Sequence, residues 1–186
     1  MVRRAGYRPP MAPPMAEFTL RAMEERDAVA VATLIRAAFA AQSVPTDPSP
    51  SALRVTRDDV VAHLRTGCGA VAEAHGALAG SALWAEQDGG LYMGRLAVAP
   101  AWRGRGIARA LVAAAETVAR RMGLPRVRLS TRLALLDNRR LFAACGYVET
   151  SREAHPRYAE PTTFVNMEKW LLGAATDLLA QREAER

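Results

Sequence analysis

The chain is poor in lysine and aromatic residues and has no long hydrophobic run. Lys169 is the only lysine among 25 basic residues, and aromatic residues make up 6% of the 186 positions. No apolar stretch reaches the ~18 residues that a membrane-spanning helix needs. Half of the residues are nevertheless hydrophobic and 24% are charged, which is typical of a globular protein. We therefore expect one folded domain and no membrane partner.

Cysteine and histidine are also scarce. Cys68 and Cys145 lie far apart and form neither a metal-ligand spacing nor a disulfide framework. The three histidines are equally dispersed: His63, His75 and His155. The sequence thus predicts no metal site, and it predicts buried free thiols in a reducing, cytoplasmic compartment.

The basic residues of the chain are not concentrated in one segment. The formal net charge is +6 and the pI is about 10.1, values that a nucleic-acid-binding protein would share. The arginines are scattered along the chain, however, and no basic run forms. We therefore expect no nucleic-acid partner.

The two ends of the chain differ from its middle. Residues 1–16 contain four prolines and three arginines but no apolar segment of a secretory signal, so we expect a disordered tail, with Met11 or Met15 as an alternative start. Residues 17–172 are the predicted domain, and 173–186 the predicted C-terminal helical extension.

The hydrophobic periodicity between these ends predicts the order β-α-α-β-β-β-α-β-α-β-β. Hairpin turns in the first half favour antiparallel pairs, and the strand-helix-strand unit in the second half favours a parallel pair. The fold class is therefore α/β (α+β), with a mixed seven-stranded sheet and helices on both faces. The helices are predicted at 24–41, 56–66, 105–122 and 137–145, and the strands at 17–22, twice within 69–84, and at 91–98, 126–131, 147–151 and 163–171.

The sharpest motif joins the fourth strand to the longest helix. It contains two glycines, Gly104 and Gly106, and three arginines close to them in sequence: Arg103, Arg105 and Arg109. The first N–H groups of a helix are unpaired and carry partial positive charge, and glycine lets an anion approach the backbone. The alternative is a connection whose glycines only permit the turn. A P-loop lysine and the dinucleotide-binding fingerprint are both absent, so a different phosphate motif is indicated.

The pattern Arg103-x-x-Gly106-x-Ala108 resembles the Arg/Gln-x-x-Gly-x-Gly/Ala signature of the GNAT superfamily of N-acetyltransferases. Residues 137–147 resemble the Asn-containing helix of that family, and Asn166-Met167-Glu168-Lys169 resembles its last strand. The resemblance extends from Phe18 to Leu172. It implies the GNAT fold and an enzyme that transfers the acetyl group of acetyl-CoA to an amine.

The resemblance also implies a cofactor site in an opening between strands four and five. Backbone groups around Leu96, Ala97 and Val98 would pair with the pantetheine arm like an added strand. Asn138 would hydrogen-bond the same arm; the alternative is a helix-cap residue beside Asp137. The pyrophosphate would bind to the N–H groups of one segment: Arg103, Gly104, Arg105, Gly106, Ile107 and Ala108.

The acid and base are less clear from the resemblance. Phe142 stands at the cofactor-lining position where many relatives place a tyrosine acid, and phenylalanine has no proton to give. Water, the departing ammonium or Tyr158 would then protonate the thiolate. Tyr92 stands near the place of a glutamate base in some relatives. Glu86 reaches the cleft if the turn at residues 88–90 has three residues, and points away if it has two.

The acceptor is expected to be a small or amino-acid-like primary amine. The resemblance places the 155–162 and 42–53 connections at the acceptor pocket. Arg157 is a candidate carboxylate ligand there, although a surface arginine is the favoured alternative. A protein lysine or N-terminus is the alternative acceptor, and a non-catalytic acetyl-CoA-binding module is the alternative class, favoured by Phe142. Homodimers are common in the family.

Overall fold

A computed structural model describes residues 17–154 and 162–171. It contains seven strands, four α-helices and three short 3-10 turns within those residues. The strands are β1 (Thr19–Ala22), β2 (Cys68–Ala74), β3 (Ala77–Gln87), β4 (Gly90–Val98), β5 (Arg126–Arg132), β6 (Val148–Ala154) and β7 (Thr162–Trp170). The helices are α1 (Ala28–Ala40), α2 (Arg57–Leu64), α3 (Ile107–Arg121) and α4 (Leu136–Ala144).

The predicted element order and fold class are confirmed. The sheet has the order β1-β2-β3-β4-β5-β7-β6, and β4–β5 is its parallel pair. Alternate residues of β3 and β4 face two cores: Trp84, Leu91 and Met93 pack beneath α3, whereas Leu83 and Ala97 pack beneath α1 and α2. The N-terminal tail, Tyr158, Arg157 and the expected C-terminal helix lie outside the described residues.

The helix boundaries follow from local chemistry, and the predicted start of α1 at residue 24 is corrected to Ala28, because Glu25–Asp27 forms a 3-10 turn. Thr56 caps α2, because its hydroxyl accepts the N–H of Asp59 at 3.2 Å while the Asp59 carboxylate accepts the N–H of Thr56 at 2.8 Å. The predicted start of α4 at residue 137 is one residue too late, and Asp137 does not cap the helix. Leu135 occupies the cap without a side-chain hydrogen bond, and Asp137 lies in the first turn, where its charge suits the helix dipole.

Neither cysteine is fully buried, contrary to the sequence-based expectation. Both are free thiols, Cys68 exposed and Cys145 half-buried. Partial burial raises the pKa of both thiols. Within the described residues, no group of histidine, cysteine and acidic side chains is arranged to hold a metal ion, and no helix has the length and hydropathy of a membrane span.

The start of α3 rests directly on β3 at Gly80. A Cβ at this position would lie 2.5 Å from Ile107 Cγ2 and 3.2 Å from the Ala97 carbonyl oxygen. The absent side chain therefore sets how deeply the first turn of α3 sits on the sheet. That turn also carries the glycine-rich connection, so Gly80 positions the connection as well.

We expect Gly80→Ala to lower the free energy of unfolding by about 1–3 kcal/mol, because the added methyl overpacks the contact with Ile107. Chemical denaturation measures the change. Gly94→Ala is the matched control, since its Cβ would meet only the Tyr92 ring, at 3.4 Å. Ile107→Leu removes the clashing branch and should recover part of the loss. Equal losses at Gly80 and Gly94, or no recovery, would contradict the steric explanation.

Candidate active site

The two parallel strands at the middle of the sheet separate soon after they meet. Within the described strands, β4 and β5 pair only at Leu91↔Val127 and Tyr92↔Arg128. The residues of β4 after Tyr92 have no partner on that side, and Ser130 is the first residue of β5 beyond the pair that faces away from α3. The strands thus leave a wedge whose β4 edge offers free backbone groups to an extended ligand.

A bulge in β4 borders this wedge. The β3–β4 register passes from Leu83↔Gly94 to Ser81↔Ala97, so β4 holds one extra residue there. Arg95 lies at the bulge with φ of +52°, in the left-handed region. The side chains of Leu96 and Val98 pack against the core beneath α3, and Ala97 is buried on the opposite face. The side chains of these three residues are thus turned wholly or partly into the cores, and the unpaired backbone groups of β4 form the edge of the wedge.

The connection from β4 to α3 forms an anion cradle at the end of the wedge. Gly104 and Gly106 have φ of +77° and +83°, and a Cβ at either would meet no atom within 4 Å. Within the described residues, no backbone N–H from Gly104 to Ala108 has a hydrogen-bond acceptor. Open space in front of unpaired N–H groups at a helix start suits a phosphate.

The side chains of Arg103 and Arg105 in the connection contact other parts of the protein. The guanidinium of Arg103 donates to the carbonyl oxygens of Ala38 and Ala41, each at 2.9 Å, at the C-terminal end of α1. Arg105 lies over the Trp102 ring at 4.8 Å and donates to Glu17 at 2.7 Å. Arg103 therefore fastens the connection to α1, while the exposed Arg105 remains beside the cradle.

Asn138 and Phe142 of α4, both predicted at the cofactor site, have different surroundings in the structure. Asn138 is half-buried in the first turn, and its side chain makes no hydrogen bond within the described residues, so the cap alternative has no support. Phe142 is 6% exposed and packs edge-on against Tyr147, with ring centroids 6.1 Å apart. Burial, followed by the charge of Glu116, raises the pKa of Tyr147 above its usual range. Neither aromatic ring offers a proton at neutral pH.

The turn between β3 and β4 decides between the two base candidates. Gln87 pairs with Gly90, so the turn has two residues, Asp88 and Gly89, both with positive φ. Glu86 opposes Leu91, whose side chain faces α3, and is therefore directed away from the face that carries Tyr92. The condition for Glu86 as the base is not met. Tyr92 is half-buried at the last paired position before the wedge.

A polar cavity of about 340 Å³ lies on this second face of the sheet. Asn166 of β7 is hydrogen-bonded to Ser130 and donates to Ser151 at 2.9 Å and to Glu153 at 2.6 Å. Glu153 has only neutral partners within the described residues, whereas Arg128 is paired with Asp88 at 3.0 Å. The lining includes Asp88, Tyr92, Arg126, Arg128, Leu129, Ser130, Thr150, Ser151, Glu153, Asn166, Met167 and Glu168.

Wedge, cradle and cavity together connect an anion site to a polar pocket through the sheet. A family model described as acetyltransferase (GNAT) matches residues 31–147, more than half of the chain. The chain belongs to this family. This confirms the expected acetyl-CoA-dependent N-acetyltransferase class. The cradle fits the diphosphate of this cosubstrate, because its N–H groups are unpaired and its glycines leave room. No curated protein sequence matches the chain.

Solved acetyltransferases share the fold at low sequence identity. The IAA acetyltransferase from Bacillus cereus ATCC 14579 has a TM-score of 0.63 at 18% identity, covering 83% of this chain and 99% of that one. The ribosomal-protein-S18-alanine N-acetyltransferase from Escherichia coli has 0.66 at 15%, covering 82% and 93%. yncA from Salmonella typhimurium, solved with its cofactor acetyl-CoA, has 0.64 at 18%, covering 83% and 94%. These likenesses show the fold.

Sequence reasoning missed several residues of the site. The Trp102 ring packs against Arg105, and Gly80 lets the first turn of α3 approach β3. Neither role is indicated by a sequence motif. Arg95 has a weak sequence signal, since it interrupts the apolar run from Leu91 to Val98. The hydrogen-bonded side chains of Ser130, Asn166 and Glu153 are brought together by the register of β5, β7 and β6. The sequence of each strand alone does not reveal that register.

Proposed function

We propose that the chain acetylates a primary amine of a small or amino-acid-like molecule by direct attack on acetyl-CoA. The observation that carries this is the continuity of three features: the anion cradle before α3, the β4–β5 wedge, and the cavity on the opposite face. The cavity volume of about 340 Å³ suits a small molecule. When bound, acetyl-CoA supplies the activated acetyl group, and the chain provides binding, orientation and proton transfer.

The roles of the binding residues follow from this arrangement. The N–H groups of Gly104, Arg105, Gly106, Ile107 and Ala108 bind the pyrophosphate, assisted by the charge of Arg105. The β4 backbone at Leu96, Ala97 and Val98 aligns the pantetheine arm, and the Asn138 side chain hydrogen-bonds it. Arg103 acts indirectly by holding the connection against α1. Phe142 contributes packing rather than a proton.

The proton chemistry is assigned to the cavity face. Tyr92 lies where the wedge begins, and its phenol is a proton donor and acceptor. Glu153 is the carboxylate of the cavity without a cationic partner among the described residues, and Asn166 links it to Ser130 beside the wedge. We assign Glu153 to attracting the ammonium form of the acceptor and accepting its proton through water, because an amine near pKa ~10.4 must lose a proton before attack.

Free thiol release from acetyl-CoA tests this function. A panel of small amines and amino acids is compared with lysine-containing peptides and peptides with free N-termini, and calorimetry measures acetyl-CoA binding separately. We expect at least one small amine to exceed every peptide in kcat/KM by about 100-fold. Faster acetylation of a peptide would indicate a protein acceptor. Acetyl-CoA binding without thiol release across the panel would indicate a binding module instead.

A further inference from the structure

The bulge residue of β4 places a positive charge at the wedge. The guanidinium of Arg95 reaches the α1–α2 connection, where Nη2 donates to Ser51 Oγ at 3.2 Å. Ser51 begins the 3-10 turn Ser51–Arg54 ahead of α2. Arg95 lies three residues after Tyr92, the last position at which β4 pairs with β5, so it belongs to the unpaired edge that borders the wedge.

The charge of Arg95 is poorly compensated by the protein. Within residues 17–154 and 162–171, no carboxylate lies at ion-pair distance from it. The acid that acts on it electrostatically is Asp59, whose Oδ2 already accepts from both the N–H and the hydroxyl of Thr56. Partial burial lowers the pKa of Arg95, with Asp59 and Tyr92 opposing the effect. A partly desolvated cation with one neutral partner is costly unless a ligand adds the counter-charge.

Arg132, on the same face of the sheet, has more protein contacts than Arg95. Arg132 of β5 is 8% exposed, donates to Pro48 O at 2.6 Å, and lies 4.3 Å over the Phe164 ring. Its guanidinium thus braces the α1–α2 connection. Among the described residues, Arg95 has one hydrogen bond, to Ser51, and thus retains donor groups for a ligand.

The face of β4 between Tyr92 and Arg95 is open at Gly94. A Cβ at Gly94 would meet only the Tyr92 ring within 4 Å, at 3.4 Å. Tyr92 lines the cavity and also interacts electrostatically with Arg95. Tyr92 therefore belongs both to the lining of the cavity, which Glu153 shares, and to the surroundings of Arg95.

We propose that the acceptor amine also bears a carboxylate, and that Arg95 binds this carboxylate at the mouth of the wedge. The proposal rests on the proposed small-amine acetyltransferase function and narrows its substrate class to amino acids and related zwitterions. The planar guanidinium matches a carboxylate with two parallel hydrogen bonds, which fixes orientation as well as affinity. Glu153 attracts the ammonium end from the cavity side.

Matched pairs of acceptors test the proposal. Each α-, β- and γ-amino acid of a panel is compared with its own carboxamide, by thiol release and by calorimetric binding to the CoA-loaded protein. We expect the wild-type protein to prefer the acid of at least one pair by about 10-fold or more. Arg95→Gln should reduce kcat/KM for that acid by about 10–100-fold, mainly through KM, and for the amide by less than about 3-fold.

Arg54→Gln is the control, because it removes the same charge from an exposed site in the same connection. Arg54→Gln should leave kcat/KM unchanged for both the acid and its carboxamide. Equal wild-type values for acid and amide in both assays would overturn the proposal, as would equal losses for both in Arg95→Gln. Unchanged acetyl-CoA affinity and Tm in Arg95→Gln exclude a folding defect. If no amine is acetylated at all, the proposed function fails, while the binding arm still decides on the carboxylate site.

Discussion

Gly106→Ala should weaken acetyl-CoA binding by about 100-fold while the protein remains folded. Gly106 caps α3 with φ of +83°, a conformation that costs a residue with a Cβ about 1–2 kcal/mol. Relaxation of that strain turns the N–H groups of Gly106 and Ile107 away from their common direction. A Cβ also enters the open space before the cradle, where we place the pyrophosphate. Both effects act on binding, and calorimetry measures the dissociation constant.

Gly123→Ala provides the matched control at the other end of the same helix. Its φ is +69° and a Cβ would meet nothing within 4 Å, so the backbone strain is comparable but no cradle is nearby. We expect both variants to lose about 1 kcal/mol of unfolding free energy, or roughly 2–4 °C in Tm, and only Gly106→Ala to lose cofactor affinity.

Gly106→Asn separates strain from obstruction. Asparagine adopts the left-handed region more readily than alanine, so its cost to stability should be smaller. Its side chain still projects into the cradle, and acetyl-CoA affinity should fall as far as in Gly106→Ala. If Gly106→Asn binds acetyl-CoA as the wild type does, the space in front of the cradle is not where the diphosphate lies.

The fold could be predicted because its signals are local and mutually consistent. The stripe of α3 repeats at helical spacing, Thr56 and Asp59 form a capping box, and two-residue turns follow β2 and β3. Errors concern the ends of elements: α1 begins at Ala28 rather than at residue 24, and β6 extends to Ala154 rather than to residue 151. α4 begins one residue early because the backbone enters the helix at Leu135 without needing a side-chain cap.

The site could be predicted only where the backbone itself forms it. The cradle was visible because glycines before an amphipathic helix are a backbone signal. The destination of Arg103 was not, since its carbonyl partners lie 62 and 65 residues away. Arg95 depends on one bulge residue, and the direction of Glu86 depends on a turn length. Such details come from tertiary register, which composition and periodicity do not encode.

The other large effect is expected beneath α3, away from the cradle. Glu116 is 7% exposed and accepts two hydrogen bonds from the Lys169 ammonium, at 2.8 and 2.9 Å. The Lys169 ammonium also lies 6.0 Å from the centre of the buried Tyr147 ring. This single lysine therefore ties α3 to β7 and to the turn after α4. The pair lies roughly 14 Å along α3 from the cradle.

Glu116→Ala should lower the free energy of unfolding by about 3 kcal/mol, because the partly buried Lys169 ammonium is left without its carboxylate. Urea denaturation measures the loss. Arg120→Ala, which removes an exposed arginine 3.5 Å from Glu116, should cost less than about 0.5 kcal/mol. Acetyl-CoA affinity should be unchanged in both variants, given the distance from the cradle.

The double variant Glu116→Met with Lys169→Met identifies what the pair contributes. Two apolar side chains of similar length fill the same space without a charge to desolvate, so stability should return to within about 1 kcal/mol of the wild type. That result would show that each charge is needed because the other is buried, and that the pair itself adds little net stability. A double variant less stable than Glu116→Ala would instead show that the ion pair holds α3 on the sheet by its own attraction.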